Sequence, residues 1–200
     1  MQKITDNKLD IDFYDYFMDE EDSEEIFNIL EANMKANNKT FPNKRSNLTY
    51  GDPGLVYEIN FKKMIKGEYK DNIVRRPTIS WNELPILIEI KECLEKLTKQ
   101  VYNICVIQRY PNGKIGINPH RDKEMTHGTL ICGISLGQER ILQMSRYEKD
   151  IDISLPSGSL YILNPPTNDY WSHSILEDKS EGIRYSLTFR NYIKYKIKLI

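Results

Sequence analysis

The chain has 200 residues, 40% hydrophobic and 10% aromatic, which suits one domain with a substantial core. Its 28 basic side chains nearly cancel 29 acidic ones, so it lacks the global charge of a nucleic-acid coat, and such a partner must be held by local patches. Cys93, Cys105 and Cys132 form no CxxC, which excludes a disulfide framework or zinc knuckle and predicts reduced core thiols.

The first residues, MQKITDNKLDIDF, are charged and lack the apolar segment of a signal peptide. No run approaches the ~20 apolar residues that span a bilayer, so a soluble, intracellular protein without a membrane partner is expected. The acidic opening ends in DEEDS, where Ser23 predicts the cap of a helix through about Met34, with Ile26, Phe27, Leu30 and Met34 on one face. Residues 37–54, NNKTFPNKRSNLTYGDPG, read as a long loop. A second helix is expected after Trp81, capped by Asn82, with Pro85 in its first turn. Its apolar stripe reads Ile86, Ile90, Cys93 and Leu97.

From residue 101 the period becomes two. YNICVIQRY, TLICGISLG, RILQMSRY, DISLPSGSLYIL and IRYSLTFRNYIKYKI predict strands, and Asn112-Gly113 a hairpin turn. The terminal YIKYKIKLI suits an edge strand protected by lysines, and Trp81 and Trp171 read as structural. Helices followed by many short strands predict an α+β fold with a sandwich or barrel core. Residues 1–39 are expected to be an N-terminal helical extension and 40–200 the main domain.

INPHRDKEMTH, residues 117–127, holds two of the three histidines. Residues two apart on a strand face the same way, so His120 and Asp122 can aim an imidazole and a carboxylate at one point. Two histidines and a carboxylate, with three positions left open, are the facial arrangement of non-haem Fe(II) oxygenases. His173 completes that count from 51 residues after Asp122, and His127, in an apparent loop, is the rival.

RYSLTFR, residues 184–190, alternates without a break. Tyr185, Leu187 and Phe189 must pack into the core, and Arg184, Ser186, Thr188 and Arg190 share the other face. Two guanidiniums with hydroxyls between them suit a dicarboxylate, because the planar fork binds carboxylate bidentately and keeps its charge when desolvated. Gln108 and Tyr110 share a face just before the turn leading to His120.

QRYPNGKIGINPHRDKE, NPPTNDYWSHSI and RYSLTFR, in this order, resemble the AlkB-type 2-oxoglutarate- and Fe(II)-dependent dioxygenases, over about residues 40–192. YGDPGLVYEI, residues 50–59, is similar to the segment that DNA-repair members place over the substrate base. The resemblance implies a double-stranded β-helix (jelly roll) with the N-terminal helices packed on its outside. It implies His120, Asp122 and His173 as Fe(II) ligands, with Arg184, Arg190, Thr188, Tyr110 and Gln108 around 2-oxoglutarate. Gln108 departs from the family's usual Asn by one methylene. The implied reaction spends O2 and 2-oxoglutarate to hydroxylate an N-methyl group of 1-methyladenine or 3-methylcytosine type, releasing succinate, CO2 and formaldehyde.

The implied partner is DNA, with RNA also open, acted on by a monomer. A flipped base would be covered by Tyr57 and Ile59, the latter replacing an aromatic of close relatives. Glu124 matches an acidic position suited to a cationic methylated base, and Lys123 breaks a doubly acidic pattern. Lys44, Arg45, Arg75 and Arg76 are candidates for phosphate contact. The alternative is an oxygenase of the same chemistry acting on a protein side chain or small molecule.

Overall fold

Alternation organises the fold from its first residues. In LDIDFY, Leu9, Ile11 and Phe13 are buried while Asp10, Asp12 and Tyr14 are half-buried, the pattern of a strand with one wet face. Strand β1 (Gln2–Asp6) therefore pairs with β2 (Leu9–Tyr14) as an antiparallel hairpin. Lys3 on the wet face reaches Asp10 at 2.6 Å and Asp12 at 2.8 Å. The segment expected to be a helical extension thus also supplies two strands; its acidic residues mark a solvated strand face. The structure, a computed structural model, describes residues 1–65, 68–123 and 125–192, with the backbone alone at 58–65 and 68–73. The proposed terminal edge strand lies, from residue 193 on, outside the described residues.

Helix α1 (Glu20–Ala36) starts earlier than Ser23 predicts. Asp19 is the cap, accepting the Asp22 amide at 2.8 Å, and Glu20, Glu21 and Asp22 complement the first-turn dipole. Ser23 is buried within the helix, and Ile26, Leu30 and Met34 form the expected buried stripe. The predicted loop 37–54 contains β3 (Ser46–Gly51), because its Asn-rich ends flank a short buried run. Strands β4 (Val56–Ile65) and β5 (Glu68–Pro77) form a separate two-stranded ribbon. After β6 (Ile79–Ser80) comes a 3-10 turn, Trp81–Glu83, capped by Ser80, and then α2 (Ile86–Thr98). Asn82, the expected helix cap, lies inside the turn, and Pro85 stands at the N-cap of α2 without a side-chain bond. That turn resets the helical phase, so α2 buries Leu87, Ile90 and Leu94, while Leu97 and Cys93 are exposed. All three cysteines are free, and only Cys105 and Cys132 are core residues.

The jelly roll follows: β7 (Ile104–Tyr110), β8 (Ile117–His120), β9 (Ile131–Gly137), β10 (Arg140–Arg146), β11 (Lys149–Leu155), β12 (Ser159–Leu163), the short helix α3 (Thr167–Tyr170), β13 (Ser172–Ile175) and β14 (Arg184–Arg190). The large sheet runs β1-β2-β12-β9-β14-β7-β3-β6 and the small one β11-β10-β13-β8. They form a double-stranded β-helix of α+β class, without a closed barrel.

The period of two sorts side chains between two cores. Tyr185, Leu187 and Phe189 of β14, with Cys132, Ile134 and Leu136 of β9, face α1 and α2. Leu142, Met144, Ile153, Tyr161 and Ile175 fill the space between the sheets. Trp171 is buried there too, and Trp81 stacks on Phe189 at 6.4 Å beneath the helices. Gly133 makes room for Tyr161: a Cβ on it would lie 2.1 Å from that ring.

Candidate metal centre and anion clamp

His120 ends β8 and His173 lies in β13, and the two are direct cross-strand partners. Their rings sit 4.3 Å apart between centroids. Asp122 follows two residues later, with its Oδ1 3.9 Å from His120 Nε2. One donor atom from each of the three lies within 4.8 Å of the others. The rival His127 stands outside, exposed and paired with Asp169 at 3.6 Å.

Each group is in the state a divalent metal needs. His120 Nδ1 faces the Asn118 carbonyl at 2.9 Å; as donor there it leaves the Nε2 lone pair free, the usual arrangement behind a metal-bound imidazole. Burial pushes His173 down to about 4, against the upward pull of Asp122, so the ring is neutral near pH 7, and its buried Nδ1 has no hydrogen-bond partner. Burial pushes the Asp122 carboxyl up, but Arg190 and the two imidazoles outweigh it and hold the group below the ordinary carboxylate range. Arg190 Nη2 approaches Asp122 Oδ2 at 3.0 Å, an ion pair without hydrogen-bond alignment.

A clasp fixes the spacing of the three. Asn168 of α3 accepts the Asp122 amide at 3.0 Å and donates back to the Asp122 carbonyl at 2.7 Å. Arg121 donates to the Asp169 carbonyl. The segment leading to His173 is thereby bonded twice to Asp122 and once more to its neighbour.

Next to the cluster, a narrow cavity between the sheets is lined by Gln108, Tyr110, His120, His173, Ser186, Thr188 and Arg190. Tyr110 donates to Gln108 Oε1 at 2.8 Å. Arg184 is fully buried, its Nε held by Ser135 Oγ at 2.9 Å and its Cζ 5.1 Å from the Tyr110 ring centre. Its Nη1 and Nη2 are buried without a hydrogen-bond partner, and burial pulls its pKa down. An uncompensated buried guanidinium costs several kcal/mol, so its two free terminal nitrogens call for an anion. Three convergent metal donors and a buried guanidinium with open donors fit Fe(II) and a dicarboxylate cosubstrate.

The other candidates sit apart. Tyr57 is half-buried against Leu55, Ile104 and Tyr192. Lys123 is exposed on a different, more open hollow shared with Asp122 and Arg121. Ile59 lies in β4 opposite Val74, but its side chain, like all of Glu124, is outside the described residues. Of the suggested phosphate contacts, Lys44 lies over Phe41, and Arg75 and Arg76 are exposed. Arg45 turns inward, 5.8 Å from the Tyr110 ring. Asn168 and Ser135 were not anticipated. Ser135 shares its strand face with Gly133, a polar interruption that signals a site; Asn168 acts from the one-turn helix α3, too short for any periodic pattern to announce.

The sequence matches the 2OG-Fe(II) oxygenase superfamily over residues 11–190. It is 28% identical over 193 residues to the DNA oxidative demethylase ALKBH2 of Mus musculus, covering 90% of this chain and 75% of that protein. The Homo sapiens ALKBH2 is 29% identical, with 90% and 69% covered. The alpha-ketoglutarate-dependent dioxygenase alkB homolog 3 of Mus musculus is 26% identical over 165 residues, covering 76% of this chain and 52% of the relative. In fold, the solved structure of OsALKBH1 aligns with a TM-score of 0.60 at 13% identity, over 96% of this chain and all of that one. No helix among the described residues is long and apolar enough to cross a membrane.

Proposed function

Because the chain belongs to the 2OG-Fe(II) oxygenase superfamily, and within it to the AlkB-type dioxygenases, we propose that it removes N-linked methyl groups from damaged bases of DNA. The methylated positions are of the 1-methyladenine and 3-methylcytosine type. Relatives named DNA oxidative demethylase match 90% of the chain. The structural observation that carries the reading is Arg184, buried with both terminal nitrogens open over the Tyr110 ring, which lines the cavity at two of the three convergent metal donors.

His120, Asp122 and His173 hold Fe(II), the last as a neutral imidazole because burial disfavours its protonation. Arg184 receives the distal carboxylate of 2-oxoglutarate, preset by Ser135 and flanked by the Tyr110 ring. Tyr110, Gln108 and Thr188 present hydroxyl and amide groups along the same cavity, and Arg190 balances charge at its metal end. The bound metal and cosubstrate supply oxidation of an N-methyl carbon with O2, leaving succinate and CO2. The hydroxymethyl product falls apart to formaldehyde and the restored base, without a protein nucleophile.

Ile117, Leu142, Tyr161 and Ile175 wall the cavity and exclude water. Tyr57 covers the flipped base from the β4–β5 ribbon, and Ile59, Lys123 and Glu124 are assigned to the same base by family resemblance alone. Residues 40–200 carry the site's side chains, β1, β2 and α1 belong to the same sheet and core, and the unit acts as a monomer.

Formaldehyde release from single- and double-stranded DNA and RNA oligonucleotides carrying 1-methyladenine or 3-methylcytosine tests the proposal. The expected result is release from methylated DNA that requires 2-oxoglutarate and Fe(II). Turnover of 2-oxoglutarate with no formaldehyde from any of them would move the substrate to a protein side chain or small molecule.

A further inference from the structure

The tips of the β1–β2 and β10–β11 hairpins meet. The β10–β11 tip carries Tyr147, 93% exposed, and α3 ends at Tyr170, 46% exposed. Arg146 Cζ lies 5.2 Å from the centre of each ring, and Lys8 Nζ, from the β1–β2 tip, 5.6 Å from that of Tyr170. Arg146 Nη1 donates to the Asn7 carbonyl at 2.6 Å, and Arg121 to the Asp169 carbonyl. These partners are main-chain groups; the nearby carboxylates are Asp6, which is paired with Lys149 and also feels Arg146, and Asp169, which lines one groove with Arg146 and Arg121. Arg121, Arg146, Tyr147 and Tyr170 line a groove of about 430 Å³.

Tyr147 takes φ +54°, a left-handed conformation that glycine or asparagine adopts at lower cost. An aromatic held there almost wholly in water contributes little to the core, but it offers a flat face. The strand that carries the patch also runs beside the metal cluster: Met144 pairs with His173 and Ser145 with Ser172.

We propose that Tyr147 and Tyr170 form a stacking platform for unpaired bases of a single-stranded nucleic acid, with Arg146, Arg121 and Lys8 on its phosphates. Aromatic faces with guanidinium and ammonium groups against them are the elements of single-strand binding. In a duplex the base faces are already stacked on one another, so the platform favours single strands. The proposal rests on the nucleic-acid reading above and adds the form of strand and where it lies.

The test is fluorescence anisotropy with an unmodified labelled oligothymidylate and a duplex of equal length, using the full chain. The expected result is tighter binding of the single strand, weakened on the order of tenfold by Tyr147→Ala and again by Tyr170→Ala. Arg146→Gln should lower the salt slope by about one phosphate's worth. Tyr147 is exposed, so its variant keeps the fold, and an unchanged melting temperature verifies this. In parallel, the unaltered protein is assayed for formaldehyde release from methylated deoxyadenosine monophosphate. Release from the mononucleotide, with both tyrosine variants binding the single strand like the parent, overturns the platform alone. Absence of release from the mononucleotide and from every methylated oligonucleotide overturns the demethylase reading and the platform with it.

Discussion

Arg190 Nη2 lies 3.0 Å from Asp122 Oδ2, and both side chains are largely buried, at 15% and 6% exposure. Without metal, this arginine is the closest cation holding Asp122 ionised. Removing one member of a buried pair costs roughly 3–5 kcal/mol. Arg190→Met should therefore lower the melting temperature of the metal-free protein, and added divalent metal should recover more than it does in the parent. Scanning calorimetry with and without Fe(II) under anaerobic conditions measures both. An equal metal-induced rise in the two proteins would contradict the shared role.

Arg184 is the opposite case, a buried cation with open donors. Arg184→Met should leave the metal-free protein as stable or more so, because replacing an uncompensated buried charge with an apolar side chain is often favourable by ~1–4 kcal/mol. It should also raise the 2-oxoglutarate requirement at least ~10-fold, given roughly 1.5–3 kcal/mol for each hydrogen bond to a charged group. Titration of 2-oxoglutarate with metal content measured alongside decides the matter. Loss of metal together with cosubstrate would indicate a collapsed site.

Asn168 touches the main chain of Asp122 and no candidate ligand's side chain. Asn168→Ala should weaken metal binding about 10- to 100-fold, as loss of groups that orient ligands commonly does. The readout is the visible spectrum and affinity of the Co(II)-substituted protein. Affinity within twofold of the parent would show that the clasp is dispensable.

Glu31 on α1 accepts two bonds from Arg109, Nε at 2.8 Å and Nη2 at 3.0 Å, and a third from Tyr185. Burial pushes its carboxyl up, but these donors outweigh it and hold it below the ordinary 4.5. The unfolded chain then takes up this proton first as pH falls, so the contribution is complete above about pH 4.5 and is lost below it. Glu31→Gln should flatten the acid limb of the melting temperature against pH. An identical limb in the variant would assign the acid sensitivity elsewhere.

Much of this site was legible because a strand's period of two is a strict rule. RYSLTFR divided its residues between the helix-facing core and the inter-sheet cavity. The His-x-Asp pair also converges, although Asp122 lies past the end of β8 and is held by Asn168 instead of a strand. The late histidine was a matter of count and resemblance; only the β8–β13 register brings it opposite His120. The α2 stripe was misjudged because ILIEIKECL offers apolar residues on two helical faces, and the preceding 3-10 turn selects between them. The β1–β2 hairpin was hidden by its charge, although Leu9, Ile11 and Phe13 alternate cleanly.

His120 and His173 belong to the small sheet, whereas Arg184 and Arg190 belong to the large one. The reactive geometry is therefore a property of the gap between two leaves rather than of either leaf. Gly133 and Tyr161 are cross-strand partners within the large leaf, and any larger residue at 133 would collide with the Tyr161 ring, which lines the gap. Bulk added there would drive that ring toward the cavity and narrow it, while His120, Asp122 and His173, which come from outside the large leaf, stayed in place.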